Sequence, residues 1–258
     1  MKFPWTILRF DELESTNDTA REIALAGTTP LPFVVRSELQ TRGRGRGQNV
    51  WHSDRGSLTF TLAMSPSAFG LSPRQSITVG LSSAVCLIDL CQQYHEKTLM
   101  IRWPNDVESE GRKLAGLLPE WIQPTSKRDP VILLGVGVNV TTRTRELPEE
   151  VRELAVSLAE LASSSTSTIQ IDDDVRDRLF DEFLNKLPGV LHELAHDGPE
   201  LASRWARLDA LRDHAVRVDL GHGVMIIGHG AGIDSLGRLL VQNELGLRTI
   251  VGGRVLRD

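Results

Sequence analysis

Residues 131–140 read VILLGVGVNV and form the most apolar stretch of the chain. The run is too short and too rich in glycine to span a bilayer, so it predicts a buried β-strand. Gly135 and Gly137 alternate along it. Glycine inside a strand is typical of a place where another group approaches the backbone closely. The stretch therefore predicts a buried strand with something packed directly against it.

Strand and helix patterns occur on both sides of this stretch. Apolar or alternating runs predict strands at residues 7–10, 33–37, 57–64, 99–103 and 113–118. Apolar periodicity predicts helices at residues 19–26, 77–90, 148–162 and 173–195. Expected boundary features are a helix start at Pro73, a cap at residues 172–174, a turn at residues 126–129 and a link at residues 163–167. The pattern indicates an α/β fold with a mixed sheet and helices on its face.

The pattern changes from about residue 212 onward. Short strands separated by glycine-rich turns are expected at residues 216–218, 224–227, 239–241 and 248–251. A chain of 258 residues fits one large domain followed by a small one. We expect a catalytic domain over residues 1–210 and a small β domain over residues 211–258.

Composition limits the class of protein. The formal net charge of −5 argues against nucleic acid as the main partner, because phosphate binding favours a basic face. The two cysteines, Cys86 and Cys91, are five residues apart on an apolar helix, which predicts reduced thiols rather than a disulfide or metal pair. Residues 1–6 lack the apolar core of a signal peptide. We therefore expect a cytoplasmic protein with no membrane span.

A glycine- and arginine-rich segment stands out at residues 40–53, which read QTRGRGRGQNVWHS. Glycines let the backbone approach a ligand, and arginines grip carboxylate or phosphate through paired hydrogen bonds. The segment has no apolar periodicity, so residues 41–50 are expected to form a mobile loop. A solvated loop or an RNA-binding segment would share this composition. The short single copy and the acidic chain around it weaken the RNA interpretation.

A second segment combines Arg102-Trp103-Pro104-Asn105-Asp106 with Lys113-Leu114-Ala115-Gly116. Trp-Pro-Asn-Asp after a strand is rare by chance, although an Asx-turn would account for it structurally. Lys113 lies at the start of an otherwise apolar strand. A lysine there is either a functional cation or a surface residue whose stem covers apolar surface.

Several familiar motifs are excluded or set aside. The glycines of residues 135–140 do not open a helix as a dinucleotide fingerprint does, and no Gly-Lys-Ser/Thr of a P-loop is present. His192-Glu193-Leu194-Ala195-His196 matches the zinc-protease pattern. No further histidine or glutamate is obviously placed as a third ligand, so we expect a structural role and no zinc.

Taken in order, these segments resemble the motifs of biotin–protein ligases. The resemblance rests on Ser15-Thr16-Asn17, residues 40–53, the Trp-Pro-Asn-Asp and Lys-Leu-Ala-Gly segments, and residues 135–140. Gly232-Ile233-Asp234 and Gly252-Gly253-Arg254-Val255 are similar to that family's small C-terminal domain. The resemblance covers nearly the whole chain. It implies a biotin/lipoate ligase-type catalytic domain followed by a small SH3-like β-barrel.

The resemblance also implies residue roles. Residues matched to biotin binding are Ser15, Thr16, Asn17, Gln40, Arg44, Gly45, Arg46, Lys113 and Gly116. Residues matched to ATP or adenylate binding are Arg46, Trp51, Asn105, Asp106, Lys113 and Asn139. Lys113, Arg44 and Arg46 would be the catalytic cations, and Asp106 the candidate Mg²⁺ ligand.

The implied reaction activates biotin with ATP, with Mg²⁺, and transfers it to a lysine of the biotin carboxyl carrier protein of acetyl-CoA carboxylase. Family members are monomers or homodimers, and both stay open here. A lipoate or octanoate ligase would share the fold, but its triple glycine and His-Asp pair are replaced by residues 47–49 and His52-Ser53. A non-catalytic biotin-binding regulator is the other alternative. Motifs that begin at Ser15 leave no room for a DNA-binding domain before them, so the monofunctional type is expected.

Overall fold

A computed structural model describes residues 3–72, 75–124, 129–164, 169–196 and 199–257. The helix start predicted at Pro73 lies outside these ranges. The turn predicted at residues 126–129 and the link at residues 163–167 lie largely outside them.

The described chain alternates strands and helices before ending in strands. The strands are β1 (Thr6–Leu13), β2 (Phe33–Gln40), β3 (Gly43–Arg44), β4 (Val50–Trp51), β5 (Ser57–Met64), β6 (Met100–Arg102), β7 (Asp106–Ser109), β8 (Arg112–Ile122), β9 (Val131–Asn139), β10 (Ala215–Asp219), β11 (Met225–Ile233), β12 (Leu239–Asn243), β13 (Gly246–Ile250) and β14 (Arg254–Val255). The helices are α1 (Thr16–Ala26), α2 (Ser76–Cys91), α3 (Glu149–Arg152), α4 (Leu158–Ser163), α5 (Asp173–Ala195) and α6 (Pro199–Arg207).

A seven-stranded mixed sheet in the order β1-β2-β5-β9-β8-β7-β6 forms the centre of the molecule. Strand β1 runs parallel to β2, and the other neighbours are antiparallel. Strand β9 is buried along its whole length between β5 and β8. The predicted mixed-sheet α/β fold and the buried strand at residues 131–140 are confirmed.

Helices cover both faces of this sheet. Helix α1 packs Ala20 and Ala24 against Phe33, Val35 and Leu133. The other face carries the larger core, to which α2 and α5 contribute most of their buried side chains. Because side chains alternate along a strand, residues of β2 and β9 divide between these two cores. The domain is therefore a sheet between helical layers.

The predicted helix at residues 148–162 is instead two short helices, α3 and α4. The backbone between them pairs with Lys113, which donates from its N–H to the carbonyl of Leu154 and accepts from the N–H of Val156. A helix cannot continue through residues whose hydrogen-bonding groups are used in a strand-like bridge. This contact fastens the segment to the start of β8.

The helices predicted at residues 19–26, 77–90 and 173–195 are observed as α1, α2 and α5, and α5 has the predicted ends. Helix α1 begins three residues earlier than expected, at Thr16, and Ser15 caps it by accepting from the N–H of Asp18. Asp172 caps α5 by accepting from the N–H of Val175, as predicted. Helix α6 was not predicted, although Leu201 and Trp205, both buried, are spaced as on one helical face.

Residues 41–50, expected to form a mobile loop, include β3 and the start of β4, and the mobility of this segment stays a prediction. Strands β3 and β4 pair Gly43 with Trp51 and Arg44 with Val50. The N–H of Gly45 donates to the carbonyl of Asn49 at 2.8 Å and closes the turn. Each of these strands has only two residues, which is too short for a periodic pattern to reveal the hairpin.

The C-terminal strands form an antiparallel sheet in the order β13-β12-β11-β10-β14. Val216, Val218, Leu239 and Val241 belong to the same core as α2 and α5. The prediction that this C-terminal module (residues 215–255) consists of β-strands is confirmed. The observed strand pairing is that of an open sheet, so closure into an SH3-like barrel remains a prediction. The domain boundary near residue 210 also remains a prediction.

Candidate active site

A cavity of about 1090 Å³ lies between the sheet, the β3–β4 hairpin and the C-terminal module. All but one of the residues predicted to form the site line it. These are Thr16, Asn17, Gln40, Arg44, Gly45, Arg46, Trp51, Asn105, Asp106, Lys113, Gly116 and Asn139. The exception is Ser15, whose side chain caps α1 and whose position holds Thr16 and Asn17 at the cavity.

One end of the cavity is built by the start of α1. Thr16 donates from its backbone N–H to Gln40 Oε1 at 2.7 Å. Thr61 Oγ1 lies 2.9 Å from both Thr16 Oγ1 and Asn17 Oδ1. A Cβ on Gly135 would lie 2.1 Å from Asn17 Oδ1, so only glycine leaves room for this side chain. We call this the polar end, because buried amide and hydroxyl groups line it.

Trp51 and Lys113 build the other end. A Cβ on Gly137 would lie 2.5 Å from Trp51 Cε2, so the indole rests directly on the strand. Lys113 Nζ lies 5.7 Å from the centre of that ring. The close approach predicted from the alternating glycines is confirmed, and the approaching groups are side chains of the protein itself. Trp51 Nε1 is buried without a hydrogen-bond partner among the described residues.

Lys113 forms an ion pair with Asp106 at this cationic end. Its Nζ lies 2.8 Å from Asp106 Oδ1, and the two side chains are 31% and 24% exposed. A Cβ on Gly116 would lie 3.0 Å from the same Nζ. The missing side chain therefore lets the ammonium group lie across the strand. The structure thus brings together three residues that the sequence predicts for the site.

Two predicted nucleotide-binding residues use their amide nitrogens inside the protein. Asn139 Nδ2 lies 3.3 Å from the carbonyl oxygens of both Lys113 and Val156. Asn105 Nδ2 donates to the carbonyl oxygen of Leu117. Both amides therefore hold the backbone on either side of the Lys113–Asp106 pair.

Arg44 and Arg46 project from the hairpin into different surroundings. Arg44 lies 2.9 Å from Glu120 and 2.8 Å from Asp18. Burial acts to lower the pKa of Arg44, but the charges and hydrogen bonds of Glu120 and Asp18 outweigh burial and raise this pKa. Arg46 donates to the carbonyl of Gly253 at 2.8 Å. Burial lowers the pKa of Arg46, and the charge of Asp106 offsets part of that effect.

Positive charge dominates the cavity lining. The basic side chains are those of Arg44, Arg46, Arg102, Lys113, Arg217, Arg254 and Arg257. Among the described lining residues the carboxylates are Asp106 and Asp219. Charge interactions strengthen where water is excluded, so such a cavity suits an anionic ligand.

Sequence reasoning did not assign Arg217 and Arg257 to the site. Arg217 belongs to the C-terminal module and Arg257 directly follows it, and no local motif marks either residue. Arg257 lies 3.0 Å from Glu108, and Arg102 Nη2 donates to the carbonyl of Leu256 at 2.9 Å. These contacts bring the end of the chain to the wall of the cavity. The signal that could have found them is the excess of arginine near the C-terminus.

The motifs set aside from the sequence stay outside the cavity. The rings of His192 and His196 lie 4.3 Å apart at the C-terminal end of α5. Within the described ranges, no group of three or more histidine, cysteine or acidic residues could hold a metal ion. Cys86 and Cys91 are free and buried, and burial raises the pKa of each thiol to about 12. Over the same ranges no helix has the length and apolarity needed to cross a membrane.

The mixed sheet and its cavity lined mainly by basic side chains define an α/β protein whose cavity suits an anionic ligand. The chain matches the biotin/lipoate A/B protein ligase family over residues 10–139 and belongs to that family.

Named relatives agree with this assignment. The chain is 30% identical to the biotin–[acetyl-CoA-carboxylase] ligase of Mycobacterium tuberculosis over 243 residues, which cover 92% of this chain and 82% of that protein. It is 31% identical to the bifunctional ligase/repressor BirA of Bacillus subtilis over 157 residues, or 60% of this chain. The chain spans about half the length of that relative, with 47% of it matched.

Solved structures show the same fold. The biotin protein ligase from Aquifex aeolicus in complex with biotin and ATP superposes with a TM-score of 0.79 at 24% identity. The superposition covers 98% of this chain and 99% of that one.

Proposed function

We propose that the chain is a biotin–protein ligase, a biotin–[acetyl-CoA-carboxylase] ligase. It activates biotin with ATP to biotinyl-5′-AMP and transfers biotin to a lysine of a biotin carboxyl carrier protein. The observation that carries the proposal is the single cavity that joins the polar end to the cationic end. The similarity to the mycobacterial ligase over nearly the whole chain supports it.

The first half-reaction brings two anions together. A biotin carboxylate oxygen attacks the α-phosphorus of ATP, the new P–O bond forms, and the bond to pyrophosphate breaks. Lys113 and Arg46 would cancel the repulsion between the carboxylate and the phosphate, because fixed cations are most effective in a site shielded from water. Asn17 and Gln40 would hold the biotin ring, and Trp51 would pack beside the nucleotide.

The second half-reaction needs a neutral amine. The acceptor lysine has an ordinary pKa of about 10.4 and must lose a proton before it attacks the carbonyl carbon of the anhydride. The new C–N bond forms as the bond to AMP breaks. Asp106 is the carboxylate beside the reacting centre that would take the proton, and its ion pair with Lys113 fixes its position.

Mg²⁺ fits this donor set. Proteins usually hold Mg²⁺ through one or two carboxylates together with the phosphates of the substrate. Asp106 supplies one carboxylate to the cavity, so it would hold the ion with the phosphates of ATP. When bound, the ion would supply positive charge that offsets the charge of those phosphates.

The organisation of the molecule is part of the proposal. Residues 1–210 would form the catalytic domain, and residues 211–258 a small SH3-like β-barrel whose arginines reach the cavity. We infer a cytoplasmic monomer or homodimer whose partners are the carrier protein, biotin and ATP, with neither nucleic acid nor membrane.

Pyrophosphate release from ATP with biotin, lipoate or octanoate as the acid tests the proposal. Release with biotin alone supports it, whereas release with lipoate or octanoate alone would replace it with a ligase for those acids. Binding of biotin without pyrophosphate release would indicate a non-catalytic regulator. The biotinylation of a purified carrier domain then tests the second half-reaction.

A further inference from the structure

Glu120 lies on β8 behind the polar end of the cavity. Its side chain is 19% exposed and contacts three groups. Arg44 Nη2 lies 2.9 Å from Glu120 Oε1, Arg21 Nη2 lies 3.1 Å from the same oxygen, and Asn17 Nδ2 donates to Glu120 Oε2 at 3.2 Å. Arg44 and Asn17 line the cavity, but Glu120 does not. Any effect of Glu120 on a bound substrate must therefore act through these two neighbours.

The contacts of Glu120 fix the orientations of the Asn17 amide and the Arg44 guanidinium. Asn17 directs its nitrogen to Glu120 and its oxygen to Thr61. Turning the amide over would place its oxygen against the Glu120 carboxylate, which accepts hydrogen bonds but donates none. Arg44 makes one contact to each oxygen of Glu120, at 2.9 and 3.4 Å. Paired contacts of this kind hold a guanidinium in one plane.

Charge at this end of the cavity is also balanced. Arg21 and Arg44 face Glu120 and Asp18, so two positive groups meet two negative ones. The polar end is therefore preorganised and close to neutral, whereas the excess positive charge of the cavity lies elsewhere.

We propose that Glu120 is a positioning residue that orders Asn17 and Arg44 for binding of the acid substrate before that substrate arrives. The identity of this substrate as biotin rests on the proposed function. Groups that are ordered in advance avoid an entropic cost on binding, so loss of Glu120 weakens binding of the acid more than binding of ATP.

Glu120→Gln tests this role, with Glu14→Gln as the matched control. Glu14 pairs with Arg42 of the same hairpin segment at 3.0 Å, but both side chains are at least 70% exposed. We expect Glu120→Gln to raise the Kd and KM for biotin by roughly 10- to 100-fold, the range expected for loss of hydrogen bonds to a charged group. The KM for ATP stays within about twofold, since Glu120 contacts no residue of the cationic end. Glu14→Gln leaves both constants unchanged.

Glu120→Asp is the second variant, which keeps the charge and is expected to restore part of the loss. Unchanged biotin binding in Glu120→Gln would overturn the proposal. Equal weakening of biotin and ATP binding, with a lowered Tm, would overturn it as well. If the wild-type chain binds no biotin but uses another acid, the proposed function fails, and the same comparison with that acid decides the role of Glu120.

Discussion

Arg44 and Arg46 lie two residues apart in one hairpin, yet their surroundings differ. Arg44 faces two carboxylates, Glu120 and Asp18, at the polar end. Arg46 extends to the carbonyl of Gly253 and has Asp106 as the charge that influences its pKa. In sequence the two arginines are equivalent members of a glycine–arginine repeat. In the structure one is neutralised by its partners, and the other contributes charge to the cavity.

The difference teaches that an arginine-rich motif does not contribute all its charge to a ligand. A guanidinium paired with two carboxylates orders its surroundings but adds little net field. A guanidinium bound to a neutral carbonyl keeps its charge available. Under the proposed function, we therefore expect the Arg44 end to bind the uncharged part of the acid and the Arg46 and Lys113 end to stabilise the reacting anions.

The largest expected effect comes from Lys113→Ala at the cationic end. If the proposed reaction takes place there, loss of this cation should slow pyrophosphate release by about 10²- to 10³-fold while the protein stays folded. The rate of pyrophosphate release and the Tm check this. Lys97→Ala is the control, since Lys97 pairs with Glu110 at the surface. Near-normal release by Lys113→Ala would remove Lys113 from the catalytic residues.

Arg46→Ala and Arg44→Ala compare the two arginines directly. Arg46→Ala should lower kcat for pyrophosphate release by about 10²-fold, because its charge acts on the reacting anions. Arg44→Ala should instead raise the KM for biotin by about tenfold with a smaller change in kcat. Arg42→Ala, in the same hairpin segment but exposed, serves as the control. Identical kinetic changes in both variants would refute the division of the cavity into two ends.

The two glycines of β9 offer a smaller, spatially resolved test. Alanine at 137 would meet the Trp51 ring, whereas alanine at 135 would meet the Asn17 amide. Forced displacement costs about 1–3 kcal/mol. We expect Gly137→Ala to weaken ATP binding by about tenfold and Gly135→Ala to weaken biotin binding by a similar factor, both measured by calorimetry. Gly189→Ala in α5 is the control, since its added Cβ meets no neighbouring atom within 4 Å. A reversed pattern of losses would contradict the assignment of the ends.

The smallest effect on activity is expected at Asp209, outside the cavity. This carboxyl is 4% exposed, and burial raises its pKa to about 6 from an ordinary value of 3.8. The folded state therefore binds more protons than the unfolded state between these values, and the free energy of unfolding falls as pH rises through that window. The contribution of Asp209 to the free energy of unfolding is complete only below about pH 3.8 and is lost above about pH 6.

Asp209→Asn removes this titration. At pH 7 we expect the free energy of unfolding of the variant to exceed that of the wild type by about 1–3 kcal/mol. Its activity should be unchanged. Urea unfolding at pH 4, 5, 6 and 7 measures it, with exposed Asp181→Asn as the control. An unchanged pH dependence of stability in Asp209→Asn would show that another group titrates in this window.

Much of the fold was predictable because local pattern and burial agree. Strand β5 alternates and β9 is a continuous apolar run, so each shows the period or length of its element. Helix α5 has a cap and a long apolar stripe. The α3–α4 break was not predictable, because the bridge between Lys113 and Ala155 joins residues 42 positions apart in the sequence. Hydrogen bonds of that kind leave no periodic signal.

The candidate site also contains residues that the sequence identified and residues that it did not. The chemistry of arginine marked the hairpin residues as candidates for binding an anion. The resemblance to the ligase family marked Lys113 and Asp106. No feature of the sequence predicted that Glu120 and Asp18 would lie beside Arg44. An acidic residue on a strand or helix is ordinary until the fold brings it to a buried cation.

The sequence by itself determined the family, the mixed-sheet fold, the order of the motifs and the close approach at Gly135 and Gly137. Each of these depends on residue types and on their spacing along the chain. Only the tertiary structure decided that Arg44 is neutralised while Arg46 is not, and that arginines of the C-terminal module reach the cavity. Charge compensation depends on distances of about 3 Å between groups far apart in the chain, and such distances exist only after the sheet, the helices and the hairpin have packed together.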